Sequence, residues 1–286
     1  MKKNLLIVLA GALAVPSLAM AQFSITPGGT NSGNGLFAQG APTTTMAGTG
    51  QANANLFATT TSAPDQAFQD AWFFRAAGDT RERAFGTQVS GGYAGTSVLV
   101  GNNANTLDTG GYDHTVTNTN TANPYAFSAQ LRWQIAAGPN GPVVTYTAVV
   151  TNLGLPGTAP LALSMFHYND MDALGTAGTD VYSYSAGTFS VSEGTTNLFH
   201  SGVNATAYQA AVFAGNRITL NDTAVTTLNN TVVGSPGDYT GAFQWDLTIA
   251  AGASATITGQ FGFVVPTPGA AALLGLGGFM VSRRRR

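Results

Sequence analysis

The chain of 286 residues contains no cysteine. This absence excludes disulfide bonds, metal sites built on thiolates and catalysis by a cysteine nucleophile. The fold must therefore be stabilised by apolar burial and backbone hydrogen bonds, and a chain of this length can bury a large enough core without cross-links.

Charge is also scarce, since charged residues make up 8% of the chain, against about 25% in average globular domains. Both lysines lie at positions 2 and 3, and four of the nine arginines are the last four residues. The region between these ends holds five arginines against all thirteen acidic residues, a formal net charge of −8. Such an acidic body has no basic stripe for phosphate contacts, so nucleic acid is excluded as a partner.

The residues that replace charge are mainly Thr, Asn, Ser, Gln and Gly. Uncharged polar side chains, Thr above all, suit the solvent-facing positions of strands. This composition is typical of exported all-β proteins.

The N-terminus has the organisation of a secretory signal. Met1-Lys2-Lys3 is basic, residues 5–15 form an apolar run, and Ala19 and Ala21 are the small residues expected at a cleavage site. We therefore predict a signal peptide over residues 1–21, with a short helix that signal peptidase removes.

The C-terminus carries Pro266-Thr267-Pro268, then an apolar stretch over residues 269–281, then Arg283, Arg284, Arg285 and Arg286. This order resembles the PEP-CTERM sorting signal, with Thr in place of the central Glu. The resemblance covers residues 265–286. It implies processing by an exosortase-like enzyme, a route linked to exopolysaccharide, and a destination at the cell surface or in the matrix.

The apolar part of this tail has 13 residues, whereas a comfortable membrane span needs about 20. A short helix of this kind can hold the chain in the membrane transiently before processing. The positive-inside rule keeps the arginines cytoplasmic and places the body outside. The alternative is an ordinary transmembrane helix that is retained.

The body alternates between apolar and polar residues, as in residues 127–135 and 143–151. This period of two predicts strands with one buried face, and their spacing predicts antiparallel pairing. We predict an all-β fold, a sandwich of about twelve strands over residues 64–264, preceded by strands and loops rich in Gly, Thr and Asn over residues 22–63. Two local predictions are one or two helical turns over residues 64–71 and a strand over residues 217–220.

One cluster combines aromatic and ionic residues, namely Trp72, Arg75, Asp79, Arg81 and Glu82. One interpretation is a sugar site with an aromatic platform and charged hydrogen-bonding groups. The other is a core strand followed by a Gly78-Asp79 turn. The segment 72–82, together with residues 242–247 and 251–257, also resembles a group of exported PEP-CTERM proteins of unknown function.

A second cluster contains Asp170, Asp172 and Asp180 around a Gly-containing loop. Oxygen ligands on such a loop suit a structural Ca²⁺ ion, although the spacing is not that of an EF-hand. The alternative is a solvated acidic loop without a cofactor.

No catalytic motif emerges from the sequence. The three histidines have no zinc-site spacing, and the chain has only two glutamates. Trp133 and Trp245 lie in phase with apolar neighbours and are predicted to be core residues.

The sequence thus predicts an exported, surface-targeted, non-enzymatic β-sandwich that is structural or associated with exopolysaccharide. A carbohydrate-binding module using the segment 72–82 is the alternative, and a glycan-active enzyme is a further one.

Overall fold

The protein was analysed as a computed structural model, which describes residues 23–25, 36–39, 54–58, 63–85, 93–100, 109–118, 124–138 and 140–264. Within these residues there is one α-helix, α1 (Gly215–Asn221), and a single 3₁₀ turn over Ala173–Gly175. The strands are β1 (Phe23–Ile25), β2 (Leu36–Gln39), β3 (Ala54–Phe57), β4 (Gln69–Ala76), β5 (Arg83–Ala84), β6 (Tyr93–Val100), β7 (Thr109–Asn118), β8 (Tyr125–Gly138), β9 (Gly141–Asn152), β10 (Leu161–Asp170), β11 (Val181–Ser185), β12 (Thr188–Glu193), β13 (Thr196–Gly202), β14 (Ala207–Val212), β15 (Thr231–Val232), β16 (Tyr239–Ile249) and β17 (Ser254–Phe263).

Two large sheets form the body. The six-stranded sheet has the order β15-β14-β16-β10-β4-β5, and the eight-stranded sheet has the order β11-β12-β13-β17-β9-β8-β7-β6. Each pairing is antiparallel except that of β14 with the short β15. The prediction of an all-β sandwich is confirmed, with fourteen described strands in the two sheets rather than about twelve. The strands β1, β2 and β3 form a separate small sheet over the predicted N-terminal segment.

The main core lies between the two large sheets. Trp133 and Trp245 are both buried there, as their phase along the strands predicts. The alternation of apolar and polar residues explains this arrangement, because every second residue of β8, β9, β16 and β17 points to the same face of its sheet. Burial of this apolar surface is the main stabilising term for a chain without disulfides.

A second, smaller core covers the outer face of the six-stranded sheet. Leu220 of α1 and Leu228 in the following segment pack with Phe73, Phe166 and Tyr168. Strand β4 is therefore buried on both faces, which explains its continuous run of apolar residues.

Two local predictions are wrong. Residues 64–71 are not helical, because the Asp65 carboxylate accepts the backbone N–H groups of Leu56 and Ala67 and the chain then enters β4 at Gln69. Residues 217–220 lie in α1 instead of a strand. There the Asn216 amide donates to the carbonyls of Gln209 and Thr240, which fastens the helix to the sheet.

The predicted signal peptide, residues 1–21, and the predicted sorting tail, residues 265–286, lie outside the described residues. Both stay predictions. In the part of the chain that is described, no helix has the length and apolar character that crossing a membrane requires.

Candidate functional site

Trp72 is a core residue, which corrects its interpretation as a sugar platform. It projects from β4 into the space between the sheets and is 3% exposed. Its ring makes edge contacts with Tyr146 and His167, at centroid distances of 5.5 and 4.8 Å. No face of this indole is open for a sugar to stack on.

Arg75 and Glu82 lie on the opposite, outer face of the same sheet. Their side chains form an ion pair of 2.5 Å, and the guanidinium also donates to the Thr226 carbonyl. The Glu82 carboxylate accepts the Thr226 N–H at 2.9 Å. This pair therefore fastens the segment after α1 onto the sheet, which is a structural role.

Asp79 closes the turn after β4, as the structural interpretation predicts. Its carboxylate accepts the Ala76 N–H at 3.0 Å and the Tyr125 hydroxyl at 2.9 Å. Burial raises the pKa of Asp79, although these hydrogen bonds oppose the shift. Arg81 is partly exposed in the same turn. Trp72, the Arg75–Glu82 pair and Asp79 thus point in three different directions, so this cluster does not form one site.

A groove of about 600 Å³ opens beside Tyr125, at the end of the sandwich where β4 leaves the sheet. Its walls are mostly apolar, and Leu155 at its mouth is 75% exposed. The Tyr125 hydroxyl is already engaged by Asp79, so the groove offers apolar surface rather than a set of convergent polar groups.

Of the second predicted cluster, the structure brings together Asp170 and Asp172 but not Asp180. Asp170 ends β10, Asp172 follows it, and the antiparallel partner strand β16 begins just after Asp238. Carboxylate oxygens of Asp170, Asp172 and Asp238 lie within 4.8 Å of one another, a spacing that allows all three to reach one metal ion. We call these three residues the acidic triad.

Asp180 does not belong to the triad, which corrects the predicted set of ligands. Its buried carboxylate accepts the Ala173 N–H at 3.1 Å and the Tyr239 N–H at 3.4 Å, so it holds the loop against β16. Burial raises the pKa of Asp180 to about 7. No local sequence pattern points to Asp238, because only the pairing of β10 with β16 places it beside Asp170.

The environment of the triad disfavours three negative charges. Burial, and then repulsion by Asp172 and Asp238, raises the pKa of Asp170 well above its ordinary value. Burial, followed by repulsion from Asp238, Asp65 and Glu193, raises the pKa of Asp172 to about 6. Burial also raises the pKa of Asp238.

Two phenylalanines stand beside the triad at the same edge of the sheet. Phe68 donates its backbone N–H to the Asp170 carbonyl, and Phe213 donates its own to the Asp238 carbonyl, each at 2.9 Å. Their rings meet edge to face with centroids 6.2 Å apart, and the Arg217 guanidinium lies 4.8 Å over the Phe213 ring.

All three histidines are buried, and two of them belong to a polar chain inside the core. His167 Nδ1 lies 3.1 Å from His200 Nε2, and His200 Nδ1 lies 3.3 Å from the Tyr239 hydroxyl. At the other end, His167 Nε2 lies 3.1 Å from Asp70 Oδ2. The Asp70 carboxylate also accepts hydrogen bonds from the side chains of Trp133 and Asn169.

The outer face of the eight-stranded sheet is mainly polar where β8, β9 and β17 lie side by side. Where β8, β9 and β17 pair, the inward positions are mainly apolar, and most outward positions carry hydroxyl or amide side chains. The outward positions also include Val149 and Arg132, whose guanidinium pairs with Asp113 of β7. Thr151 and Ser254 share a hydrogen bond of 2.7 Å there, and Gln260 donates to Thr145 at 3.0 Å. We call this surface the hydroxyl face; its members are Ser128, Gln130, Gln134, Thr145, Thr147, Thr151, Ser254, Thr256, Thr258 and Gln260.

No protein-family model matches the chain, and a search of curated proteins finds no match. Among solved structures, the chain is similar to a protein described as a kojibiose phosphorylase from human microbiome, with 9% sequence identity and a TM-score of 0.45. The match covers 85% of this chain and 30% of that protein, so this chain spans less than a third of its length. A similarity of this size indicates nothing about what the chain binds.

Proposed function

We propose that this chain is an exported, surface-targeted, non-enzymatic β-sandwich that associates with extracellular polysaccharide. The observation that carries the proposal is the hydroxyl face, an array of Thr, Ser and Gln side chains across three paired strands. The charge of Arg132 within this array is balanced by its ion pair with Asp113. Such side chains both donate and accept hydrogen bonds, as sugar hydroxyls do. The signal-like N-terminus and the PEP-CTERM-like tail supply the route to the cell surface.

The rigid backing of this face supports its use as a contact surface. The same strands bury Trp133, Tyr146 and Phe261 on their inner side, so the outward side chains are held at fixed spacing. A pre-ordered surface loses little conformational entropy on binding a long polymer.

A non-enzymatic role fits the polar clusters that the sequence singled out. Arg75 with Glu82, Asp79 with Tyr125, and Asp180 with Tyr239 each hold a loop or turn against a sheet. These contacts give Arg75, Glu82, Asp79 and Asp180 structural roles, so we assign recognition to the hydroxyl face.

Polysaccharide association is tested by co-sedimentation of the full-length chain with the extracellular polysaccharide of its host. Replacing Gln130, Thr147 and Thr258 together by alanine removes polar groups from the centre of the hydroxyl face. We expect the bound fraction to fall at least about fivefold, because several weak hydrogen bonds of roughly 0.5–1.5 kcal/mol each are lost.

The matched control replaces Thr195 and Thr223, which are exposed threonines outside the hydroxyl face, by alanine. This control should bind as the wild type does. Equal binding by the triple variant, with an unchanged melting temperature, would refute the hydroxyl face as the contact surface.

The sorting role is tested separately by fractionating host cells that produce the chain with or without residues 265–286. We expect the shortened chain to leave the envelope fraction. Equal retention of the two forms in the envelope would refute sorting by the tail.

A further inference from the structure

The acidic triad is poorly satisfied by the protein itself. Buried or half-buried carboxylates are normally paired with cations or with hydrogen-bond donors. Among the described residues, the triad carboxylates receive one side-chain hydrogen bond, from the Tyr168 hydroxyl to Asp170 at 3.3 Å. Asp172 precedes the 3₁₀ turn, but its side chain makes no capping hydrogen bond there.

The nearby cation does not compensate for this charge. The Arg217 guanidinium lies over the Phe213 ring. Its attraction lowers the pKa of Asp170 less than burial and the neighbouring aspartates raise it. No ion pair joins Arg217 to the triad in the part of the chain that the structure describes. Carboxylate oxygens without a paired cation are the kind of ligand that Ca²⁺ takes.

A second, independent observation comes from the neighbouring strand. Gln69 lies directly opposite Asp170 in the pairing of β4 with β10, so both side chains project from the same face of the sheet. Gln69 is 2% exposed, and its Nε2 atom has no partner among the described groups. Rotation of this amide by 180° exchanges Nε2 for Oε1 and places a carbonyl oxygen in the position that has no partner.

On the other side of Asp170, Thr240 is its register partner in β16. The Asn216 amide donates to the Thr240 carbonyl, and its own Oδ1 atom is buried without a partner in the described structure. Gln69, one register partner of Asp170, and Asn216, which contacts the other, thus each leave one buried polar atom unsatisfied, and Gln69 is the one directly opposite Asp170.

We propose that Asp170, Asp172 and Asp238 bind one Ca²⁺ ion, with the Gln69 amide oxygen as a further ligand. Asp172 and Asp238 are half-buried, so water completes the coordination from the open side. Ca²⁺ takes six to eight oxygen ligands at about 2.3–2.6 Å in flexible geometry, and triad oxygens within 4.8 Å of one another can all reach one such ion.

This site goes beyond association with polysaccharide and does not depend on it. The ion would join the end of β10, the start of β16 and the start of β4, so it would clamp three neighbouring strands at one edge. Binding is measured on the isolated chain without any polysaccharide, so failure of one proposal leaves the other intact.

The test is isothermal titration calorimetry of the full-length chain, treated with EDTA and dialysed, with CaCl₂ as titrant. We expect one site with a Kd in the range of about 10⁻⁵–10⁻³ M, as extracellular Ca²⁺ modules and sensors show. At 10 mM CaCl₂ the melting temperature should rise by several degrees, because the ion binds only the folded state. MgCl₂ at the same concentration should produce a clearly smaller rise.

The variants Asp172→Asn and Asp238→Asn should each weaken Ca²⁺ binding by at least about tenfold. Gln69→Glu adds a carboxylate of the same size and should tighten binding. The matched control is Glu193→Gln, which removes a charge at the same end of the sandwich without removing a member of the triad.

Three outcomes would overturn the proposal. They are the absence of heat and of thermal stabilisation up to 10 mM CaCl₂, equal affinity in the wild type and the two Asn variants, and equal weakening by Glu193→Gln, which would indicate only diffuse electrostatic attraction. Unchanged affinity in Gln69→Glu would remove Gln69 from the set of ligands.

Discussion

His167 and His200 face each other across the core, with Nδ1 of the first 3.1 Å from Nε2 of the second. They come from different sheets, His167 from β10 and His200 from β13, and both are fully buried. One of the two facing nitrogens must carry a proton and the other must accept it. This contact therefore links the two halves of the sandwich through a hydrogen bond instead of apolar packing.

Our first prediction concerns the pH dependence that His200 imposes on stability. Burial, and then the neighbouring His167, lowers the pKa of His200 well below its ordinary value. Below pH 6.5, His200 therefore binds a proton in the unfolded chain but stays neutral in the folded chain. The free energy of unfolding consequently falls as the pH falls. His200→Gln lacks this contribution. Between pH 6.5 and pH 5, its free energy of unfolding should therefore change less steeply with pH than that of the wild type, by up to about 1.4 kcal/mol per pH unit.

Urea denaturation at several pH values measures this slope. Subtracting the two curves cancels the contributions of titrating groups that do not contact His200, provided that the variant unfolds with the same m-value. Parallel curves for the wild type and His200→Gln would show that His200 does not resist protonation.

The second prediction concerns His114, which is buried beside Phe85 and Tyr112. Burial lowers its pKa to about 4, despite the opposing attraction of Asp113. When the pH is lowered from 7 to 5, the free energy of unfolding of the wild type should therefore fall by about 2 kcal/mol more than that of His114→Phe. The same denaturation series measures the difference, and a constant gap over this range would contradict the prediction.

The third prediction concerns Gly241, whose position beside Tyr239 leaves no room for a Cβ atom. A Cβ there would overlap the Tyr239 hydroxyl and approach His200 Nδ1 at 3.3 Å. Gly241→Ala should lower the free energy of unfolding by about 1–3 kcal/mol, the usual cost of overpacking.

A double-mutant cycle checks the cause. Tyr239→Phe removes the overlapping hydroxyl, so the alanine should cost less in that background than in the wild type. If the two substitutions are simply additive, the destabilisation does not come from this contact.

The fourth prediction concerns the Arg75–Glu82 ion pair, in which the Glu82 side chain is fully buried. Arg75→Met leaves a buried carboxylate without its cation and should cost about 3–5 kcal/mol. The double variant Arg75→Met with Glu82→Gln should be more stable than Arg75→Met alone, because the uncompensated charge is gone. Chemical denaturation of the three proteins measures this, and a less stable double variant would contradict the electrostatic explanation.

Much of the strand framework could be predicted from local patterns. The alternation predicted over residues 127–135 and 143–151 lies within β8 and β9. These segments are predictable because a strand with one buried face shows its periodicity directly in the sequence.

The parts that were missed depend on contacts between distant segments. Residues 217–220 contain Ile and Thr, which favour strands, yet they form α1 because Leu220 and Asn216 find partners on the outer face of the six-stranded sheet. Trp72 gave no reliable pattern because β4 is buried on both faces. Asp238 joined the acidic triad only through the register of two strands far apart in the sequence.

The two large sheets end in different ways. Both outer strands of the six-stranded sheet, β5 and β15, have two residues, whereas the eight-stranded sheet ends in β6 with eight residues and β11 with five. An edge strand of two residues offers almost no unpaired backbone N–H and C=O groups with which another chain could pair. Among the described strands, any side-by-side growth of copies into a larger assembly would therefore begin at the borders of the sheet that carries the threonine and serine array, and it would extend that array from one molecule to the next.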